Sequence, residues 1–306
     1  MGSTVQDDRQ VAIVTGSTSG IGLDLVKFLL AKNYRAVVTG RRVAQGEAIA
    51  KELDPEGNTV MFAECDVSSY ASQSKMFLAV WNKWARIDVV IANAGFVDRA
   101  TIYNFAGRGA AVTDIPAEPD LSCTDTDFKG VIFSTRLATH FMRHNTAPGG
   151  KIIVTGSMIG VHPCSTFPEY CAAKAGALHW CRVMAPILKK KENITINCVL
   201  PGAYDTPAMP GFTTAFLPEH LTLKDTLMSA YDEFLKDETN TVTGQAVEAG
   251  HDKLYYYDIP EYKSGDVARR NEKVYEPWFT IIHGERSDLE DALQGPPKQA
   301  LNGVSH

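Results

Sequence analysis

The chain has 306 residues, 44% of them hydrophobic and 22% charged, the balance of an ordinary globular protein rather than a disordered or fibrous one. Its 30 Lys and Arg stand against 36 Asp and Glu, and a formal net charge of -6 repels a phosphate backbone, so nucleic acid is not an expected partner. No apolar run is long enough to span a membrane, and the polar residues 1–10 lack the pattern of a secretory signal, which points to a cytoplasmic protein with no membrane partner.

In chain order, short apolar runs at 11–15, 36–39, 60–63, 89–92, 152–155 and 194–200 predict strands. Amphipathic stretches at 23–32, 43–53, 73–84, 127–144 and 170–190 predict the helices between them. That is the rhythm of βαβ units, so the fold class is α/β: a Rossmann-type, doubly wound, mostly parallel sheet in a single domain over residues 1–286. Two segments break the rhythm. Residues 96–123 make a stretch longer than the roughly 15 residues usual for a loop, and such loops are often functional. After Thr206, residues 212–236 read as one or two helices inside a C-terminal helical substrate region at 204–242, and 243–249 read as a last strand. The polar end, 287–306, reads as a flexible tail, or as one docked on a neighbouring subunit. The six cysteines, at 65, 123, 164, 171, 181 and 198, lack metal-ligand spacing and read as free thiols of a reducing compartment, so no metal is expected.

The first strand runs into Thr15-Gly16-Ser17-Thr18-Ser19-Gly20-Ile21-Gly22, where a helix begins. Gly16, Gly20 and Gly22 remove side chains where a pyrophosphate must approach the backbone, and the helix start shared by Ser17, Ser19 and Ile21 offers free N–H groups and a positive dipole end. A tight strand-to-helix turn is the competing reading, weakened by its place after the first strand. The second strand ends at Thr39-Gly40-Arg41-Arg42. A carboxylate there would bind the ribose 2′-hydroxyl of NAD; glycine instead leaves space, and Arg41 and Arg42 offer bidentate phosphate contacts. NADP(H) is therefore preferred, with NAD(H) the alternative if the arginines only begin a solvated helix. At the third strand's end Asp66, beside Val67, can accept from an adenine amino group, and small residues in Ala92-Asn93-Ala94-Gly95 let the fourth strand's end pass close to a ribose.

The fifth strand delivers Ser157 at its C-terminal edge, where ligands bind in open parallel sheets. Tyr170 and Lys174 lie one helical turn apart and share a face. A phenol, with a pKa of about 10, is a poor base, but a nearby ammonium and an oxidised nicotinamide favour phenolate. Tyr170 can then act as general acid or base while Ser157 polarises the substrate oxygen. In isolation Tyr170 and Lys174 would read as a surface pair.

At these residues the chain resembles the classical short-chain dehydrogenase/reductase family, through the Thr15-to-Gly22 turn, Asn93-Ala94-Gly95, the Ser157/Tyr170/Lys174 set and Pro201-Gly202. The resemblance covers roughly residues 9–206, and the later helical segment also looks like relatives of 15-hydroxyprostaglandin dehydrogenase. It implies that Lys174 binds the nicotinamide ribose hydroxyls, that Asn93 helps hold the cofactor side, that Pro201 and Gly202 line that side, and that Thr206 contacts the carboxamide. Tyr204 is expected as substrate-side packing, and a homodimer or homotetramer as the assembly. Where the family usually has Asn-Leu-x-Gly, this chain has Asp127-Phe128-Lys129-Gly130. The family Asn acts largely through a backbone carbonyl that holds a water in a proton relay with the Lys, and Asp127 keeps such a carbonyl. The usual closing Gly-Gly segment is missing.

The leading expectation is an oxidoreductase acting on a bulky, hydrophobic secondary alcohol or ketone, with Phe96, Phe212, Phe216 and Leu217 as pocket walls or, equally, as core. A non-redox isomerase or cyclase on the same scaffold is one alternative; a cofactor-sensing binding protein, hinted at by Asp127 alone, is another.

Overall fold

The apolar runs become strands, those at the centre of the sheet largely buried because a parallel strand there is covered on both faces, while the edge strand over 60–64 is only partly buried. In the computed structural model, which describes residues 8–206 and 211–295, every residue of β1 (Val11–Val14) and β6 (Ile194–Pro201) is buried. The other strands are β2 (Arg35–Gly40), β3 (Val60–Glu64), β4 (Val89–Ala92), β5 (Gly150–Thr155), β7 (Ala246–Ala249) and β8 (Leu254–Tyr256). They form one sheet in the order β3-β2-β1-β4-β5-β6-β7-β8, parallel except for β8 at the edge. The strand order reverses between β1 and β4, which opens a crevice at their C-terminal ends.

Helices α1 (Gly20–Ala31), α2 (Val43–Leu53) and α7 (Lys224–Leu235) cover one face, where Leu25, Val26 and Leu29 share a core with Tyr231 and Phe234. The other face carries α3 (Tyr70–Trp84), the short α4 (Ser122–Thr124), α5 (Gly130–Met142) and α6 (Pro168–Glu192), with Phe77, Val131, Leu137 and Leu178 in its core.

Three stretches differ from expectation. The helix predicted over 127–144 starts as a π turn, Asp125–Lys129, before α5. A π turn interrupts the regular ladder and frees carbonyls. Just past that turn the buried Gln73 ties α3 to the start of α5, donating from Nε2 to Gly130 O at 3.0 Å and to Val67 O at 2.7 Å, while its Oε1 accepts from Ser134 Oγ at 2.8 Å. Residues 212–236 form two 3-10 turns, Phe212–Ala215 and Pro218–His220, followed by the single helix α7. Beyond β7 come elements that were not expected: β8, α8 (Asp266–Asn271) and α9 (Glu276–His283).

The beginning of the expected tail is docked on the chain's own body. Ser287 is fully buried, with its N–H and hydroxyl donating to the Glu276 carboxylate, and Leu293 N–H donates to Val274 O at 2.7 Å. An acid at the first turn of α9 thus fastens the segment that follows it. Residues 296–306 of the expected tail lie outside the described residues.

Candidate active site

The crevice is floored by the glycine turn. Gly16 and Gly20 adopt φ of +63° and +54°, which side-chain-bearing residues rarely do. A Cβ on Gly16 would lie 2.7 Å from Ala94 Cα, and one on Gly22 would lie 2.5 Å from Gly16 O. Ser19 precedes α1 without making a side-chain cap, so its own side chain leaves the N–H groups of the first turn, around Gly20 and the half-buried Ile21, to other partners. Such a turn has the shape and the N–H groups that can hold a pyrophosphate.

Ser17 is a correction. It is fully buried, with its N–H on Thr39 O at 2.9 Å and its hydroxyl donating to Val14 O at 2.7 Å while accepting from Thr39 N–H at 2.9 Å. Its hydrogen-bonding groups are spent on joining β1 to β2, so it shapes the turn and does not face a cofactor.

Asn93 and Ala94 are seated against that turn, their N–H groups donating to Thr15 Oγ1 at 2.9 and 3.0 Å. Asn93 Nδ2 donates to Thr15 O at 3.0 Å, and its Oδ1 accepts from Thr155 Oγ1 at 3.2 Å. Arg41 and Arg42 are exposed at the end of β2. Nearby, Asp66 Oδ1 accepts from the hydroxyl and N–H of Ser68 at 2.7 and 3.0 Å. The Ser68 hydroxyl, aided by the Arg41 charge and opposed by burial, holds the Asp66 carboxyl below its ordinary range. Val67 is buried against Gly130.

Across the crevice, Gly202 donates its N–H to Ala249 O at 3.1 Å, extending the line of β6 past Pro201. A Cβ on Gly20 would lie 3.3 Å from the Thr206 side chain, which places Thr206 over the glycine turn. Tyr204 turns the other way: its hydroxyl donates to Asp24 Oδ2 on α1 at 2.8 Å, and burial together with that acid pushes the phenol well up. Substrate-side packing is therefore corrected to a clamp on α1, which Lys224 reinforces by pairing with the same acid.

At the end of β5, Ser157 opens a 3-10 turn, where its hydroxyl accepts from Ile159 N–H at 3.4 Å, and it stands near enough to the Tyr170 phenol to favour its ionised form. Lys174, one turn along α6, lies 5.4 Å from the Tyr170 ring centre and donates to Thr155 O at 2.7 Å. Its ammonium also meets Asp127 Oδ1 at 3.0 Å, both side chains being buried. Asp127 Oδ2 accepts from Phe96 N–H at 3.1 Å. The role expected of Asp127 ran through its backbone carbonyl; the structure puts the carboxylate itself on Lys174. Burial works against the Lys174 charge, but the facing Asp127 and Tyr170 hold the ammonium above its ordinary value. Burial raises the Asp127 carboxyl, with Lys174 opposing. Burial also raises the Tyr170 phenol, and the Asp127 charge offsets part of the lowering effect of Lys174. In the protein alone the phenol thus sits above its ordinary value rather than being drawn towards neutrality.

One positioning residue gave no motif. Asp98, in the long irregular stretch after β4, accepts from Glu169 N–H and Tyr170 N–H with its two oxygens, both at 2.9 Å. Phe167 at the cap position of α6 has no capping side chain, so the helix takes its acceptor from that loop. A helix start lacking its own Ser, Thr, Asp or Asn was the available signal. The expected pocket walls are not core: Phe96 is half-buried under Arg99, the rings of Phe212 and Phe216 stand 4.6 Å apart, and Leu217 is 56% exposed.

The short chain dehydrogenase family model matches residues 10–215 of this chain. A short-chain dehydrogenase/reductase of Penicillium rubens, prx6, is 44% identical over 295 residues, spanning 94% of this chain and 98% of that protein. The chain belongs to the short-chain dehydrogenase/reductase family. Membership makes it an oxidoreductase acting on hydroxyl and carbonyl groups. Another relative is the cis-4-hydroxycyclohexanecarboxylate dehydrogenase of Sinomonas cyclohexanicum, 29% identical over 204 residues, or 66% of this chain and 76% of that one. The fold matches the crystal structure of a 3-ketoacyl-(acyl-carrier-protein) reductase from Brucella melitensis complexed with NADH, with a TM-score of 0.67 and 21% identity over 79% of this chain and 97% of that one. Among the described residues of this short-chain dehydrogenase/reductase, no cluster of His, Cys, Asp and Glu could hold a metal, and no helix is long and apolar enough to cross a membrane.

Proposed function

We propose that this short-chain dehydrogenase/reductase transfers a hydride between NADP(H) and the secondary alcohol or ketone of a bulky, hydrophobic small molecule. The observation that carries the reading is a continuous line of hydrogen bonds, from Thr15 in the glycine turn through Asn93 and Thr155 to Lys174, which ties the cofactor cradle to the Ser157/Tyr170/Lys174 set. The cradle fits a dinucleotide: its glycines cannot readily bear side chains, and the start of α1 is not capped by the Ser19 side chain. Gly40 and the exposed Arg41 and Arg42 favour a 2′-phosphate over a bare ribose hydroxyl. The nicotinamide, when bound, supplies or accepts the hydride. Ser157 donates a hydrogen bond to the substrate oxygen, and Tyr170 gives that oxygen a proton in reduction or takes one in oxidation. Lys174 holds its charge beside the phenol and has ribose hydroxyls within its expected reach. The half-buried Phe96, Phe212 and Phe216 support an apolar substrate, and a relative named for a hydroxylated cyclohexanecarboxylate supports a secondary alcohol on a ring. A homodimer or homotetramer in the cytoplasm, with no nucleic-acid or membrane partner, completes the reading; the net charge of -6 supports the first exclusion.

The test is the nicotinamide absorbance of NADPH during incubation with a panel of cyclic and aryl ketones. Turnover is expected for hydrophobic ketones, and Tyr170→Phe should lower it by at least about 10²-fold with NADPH still bound. Near-normal turnover in Tyr170→Phe overturns the assignment.

A further inference from the structure

The Asp127 carboxylate is fully buried and 3.0 Å from the ammonium that would otherwise stabilise a Tyr170 phenolate. The groups facing the phenol are Lys174 from α6, Asp127 from the π turn, Cys123 from α4, Ser157 after β5 and Tyr231 from α7. Those facing Lys174 are Asp127, Tyr170, the Thr155 carbonyl and Cys198 of β6. The acids Asp98 and Glu169 stand at the start of the same helix, where Asp98 holds the Tyr170 N–H and Glu169 accepts from Thr124 N–H at 2.7 Å. Lys174 is the one cation in this set, and a carboxylate already neutralises it. An uncharged amide at position 127 would leave the ammonium free to favour the phenolate; a carboxylate does not.

We propose that Asp127 is a positioning residue whose charge, by pairing with Lys174, keeps Tyr170 protonated and sets the site as a proton donor for carbonyl reduction. In that direction a hydride adds to the carbonyl carbon and the carbonyl π pair moves onto oxygen. The Tyr170 O–H bond breaks, its proton goes to that oxygen, and the phenolate left behind regains a proton from solvent. A residue that disfavours the phenolate favours this transfer and hinders the reverse one, in which the phenolate must form first. Burial and Asp127 together lift the phenol's pKa, in keeping with that bias. A Cβ on Gly95 would lie 2.3 Å from Asp127 Oδ1 and 3.1 Å from Lys174 Nζ, so the residue before Phe96 leaves just the room the pair occupies.

The inference rests on the proposed function only for the use made of the proton; the charge state of Tyr170 is tested without turnover. Phenolate absorbance is titrated in the cofactor-free protein, the Tyr170 signal being the part that Tyr170→Phe removes. Asp127→Asn and Asp127→Ser take the charge away in two sizes, with circular dichroism reporting the fold. Each should move the Tyr170 titration to lower pH by about one unit or more, tenfold in the ionisation constant. The rising limb of the kcat profile for alcohol oxidation should move the same way, raising kcat for oxidation at neutral pH. An unchanged Tyr170 titration in folded variants overturns the proposal, and so does failure of both variants to fold, which would make the carboxylate a structural group. If the titration shifts while no alcohol or ketone is ever turned over, the proposed function falls and the charge assignment stands.

Discussion

Asp98→Ala removes both acceptors that close the N-terminus of α6, the N–H groups of Glu169 and Tyr170 at 2.9 Å each. It also removes a carboxylate from the positive end of a long helix, Pro168–Glu192. Loss of such a cap costs about 1–2 kcal/mol. In a domain of this size each kcal/mol lowers Tm by about 2–4 °C, so a drop of about 2–8 °C is expected in thermal unfolding followed by circular dichroism. The functional consequence is separate, because Tyr170 lies in the first turn of that helix and a frayed turn moves the phenol. Ketone reduction should therefore lose kcat, with NADPH affinity unchanged because the glycine turn does not touch Asp98. Asp98→Asn, which keeps one acceptor oxygen and loses the charge, should fall between the two proteins. If Asp98→Ala melts with the parent and turns over at the parent rate, the loop does not brace the helix as inferred from these bonds.

Two further outcomes are expected. Arg41→Ala should weaken NADP(H) binding about tenfold, some 1.4 kcal/mol, and leave NAD(H) binding unchanged; cofactor fluorescence titration measures both, and equal losses would remove the 2′-phosphate reading. At Asp54, hydrogen bonds from the N–H and hydroxyl of Thr59 and the N–H of Val60 overcome burial and pull the carboxyl down to about 2. A folded value below the unfolded one, about 3.9, stabilises the native state above that pH, and the contribution is lost as pH falls through about 2. Asp54→Asn should lower Tm at neutral pH and show less additional loss between pH 4 and 2, read from Tm against pH; parallel curves for the two proteins would refute it.

What was legible in the sequence follows from periodicity and local sterics. Strands β1 to β6 could be read because burial on both faces demands unbroken apolar runs, such as Val11–Val14 and Ile194–Pro201. The glycine turn could be read because no other residue fits against Ala94 at that approach. β8 could not, since Leu254–Tyr256 is a short edge strand with both tyrosines exposed. α9 left a signal that was missed, with Pro277 near its start and Gly284 at φ +80° just past its end. Its apolar side chains Trp278 and Ile282 are exposed, so no buried stripe marked it as a helix of the core.

At the site, residue types were legible and partners were not. Tyr170 and Lys174 announce themselves through helical spacing and Ser157 through its place at the C-terminal edge of β5, both local properties. Whether Ser17 faces a ligand or the sheet depends on Thr39, a residue of the neighbouring strand, and Tyr204 finds Asp24 only because the segment after β6 folds back over α1. Asp127 shows most sharply where local reading stops. As a substituted Asn it suggested a backbone role, because the motif it replaces is described by position. The π turn brings its carboxylate, not just its carbonyl, to a buried ammonium 3.0 Å away. The pair then alters the phenol one turn up α6, so a substitution conservative in shape changes the charge that the proton-carrying residue sees. The charge that faces the proton-carrying phenol thus depends on a contact between residues 127 and 174, which neither element encodes alone.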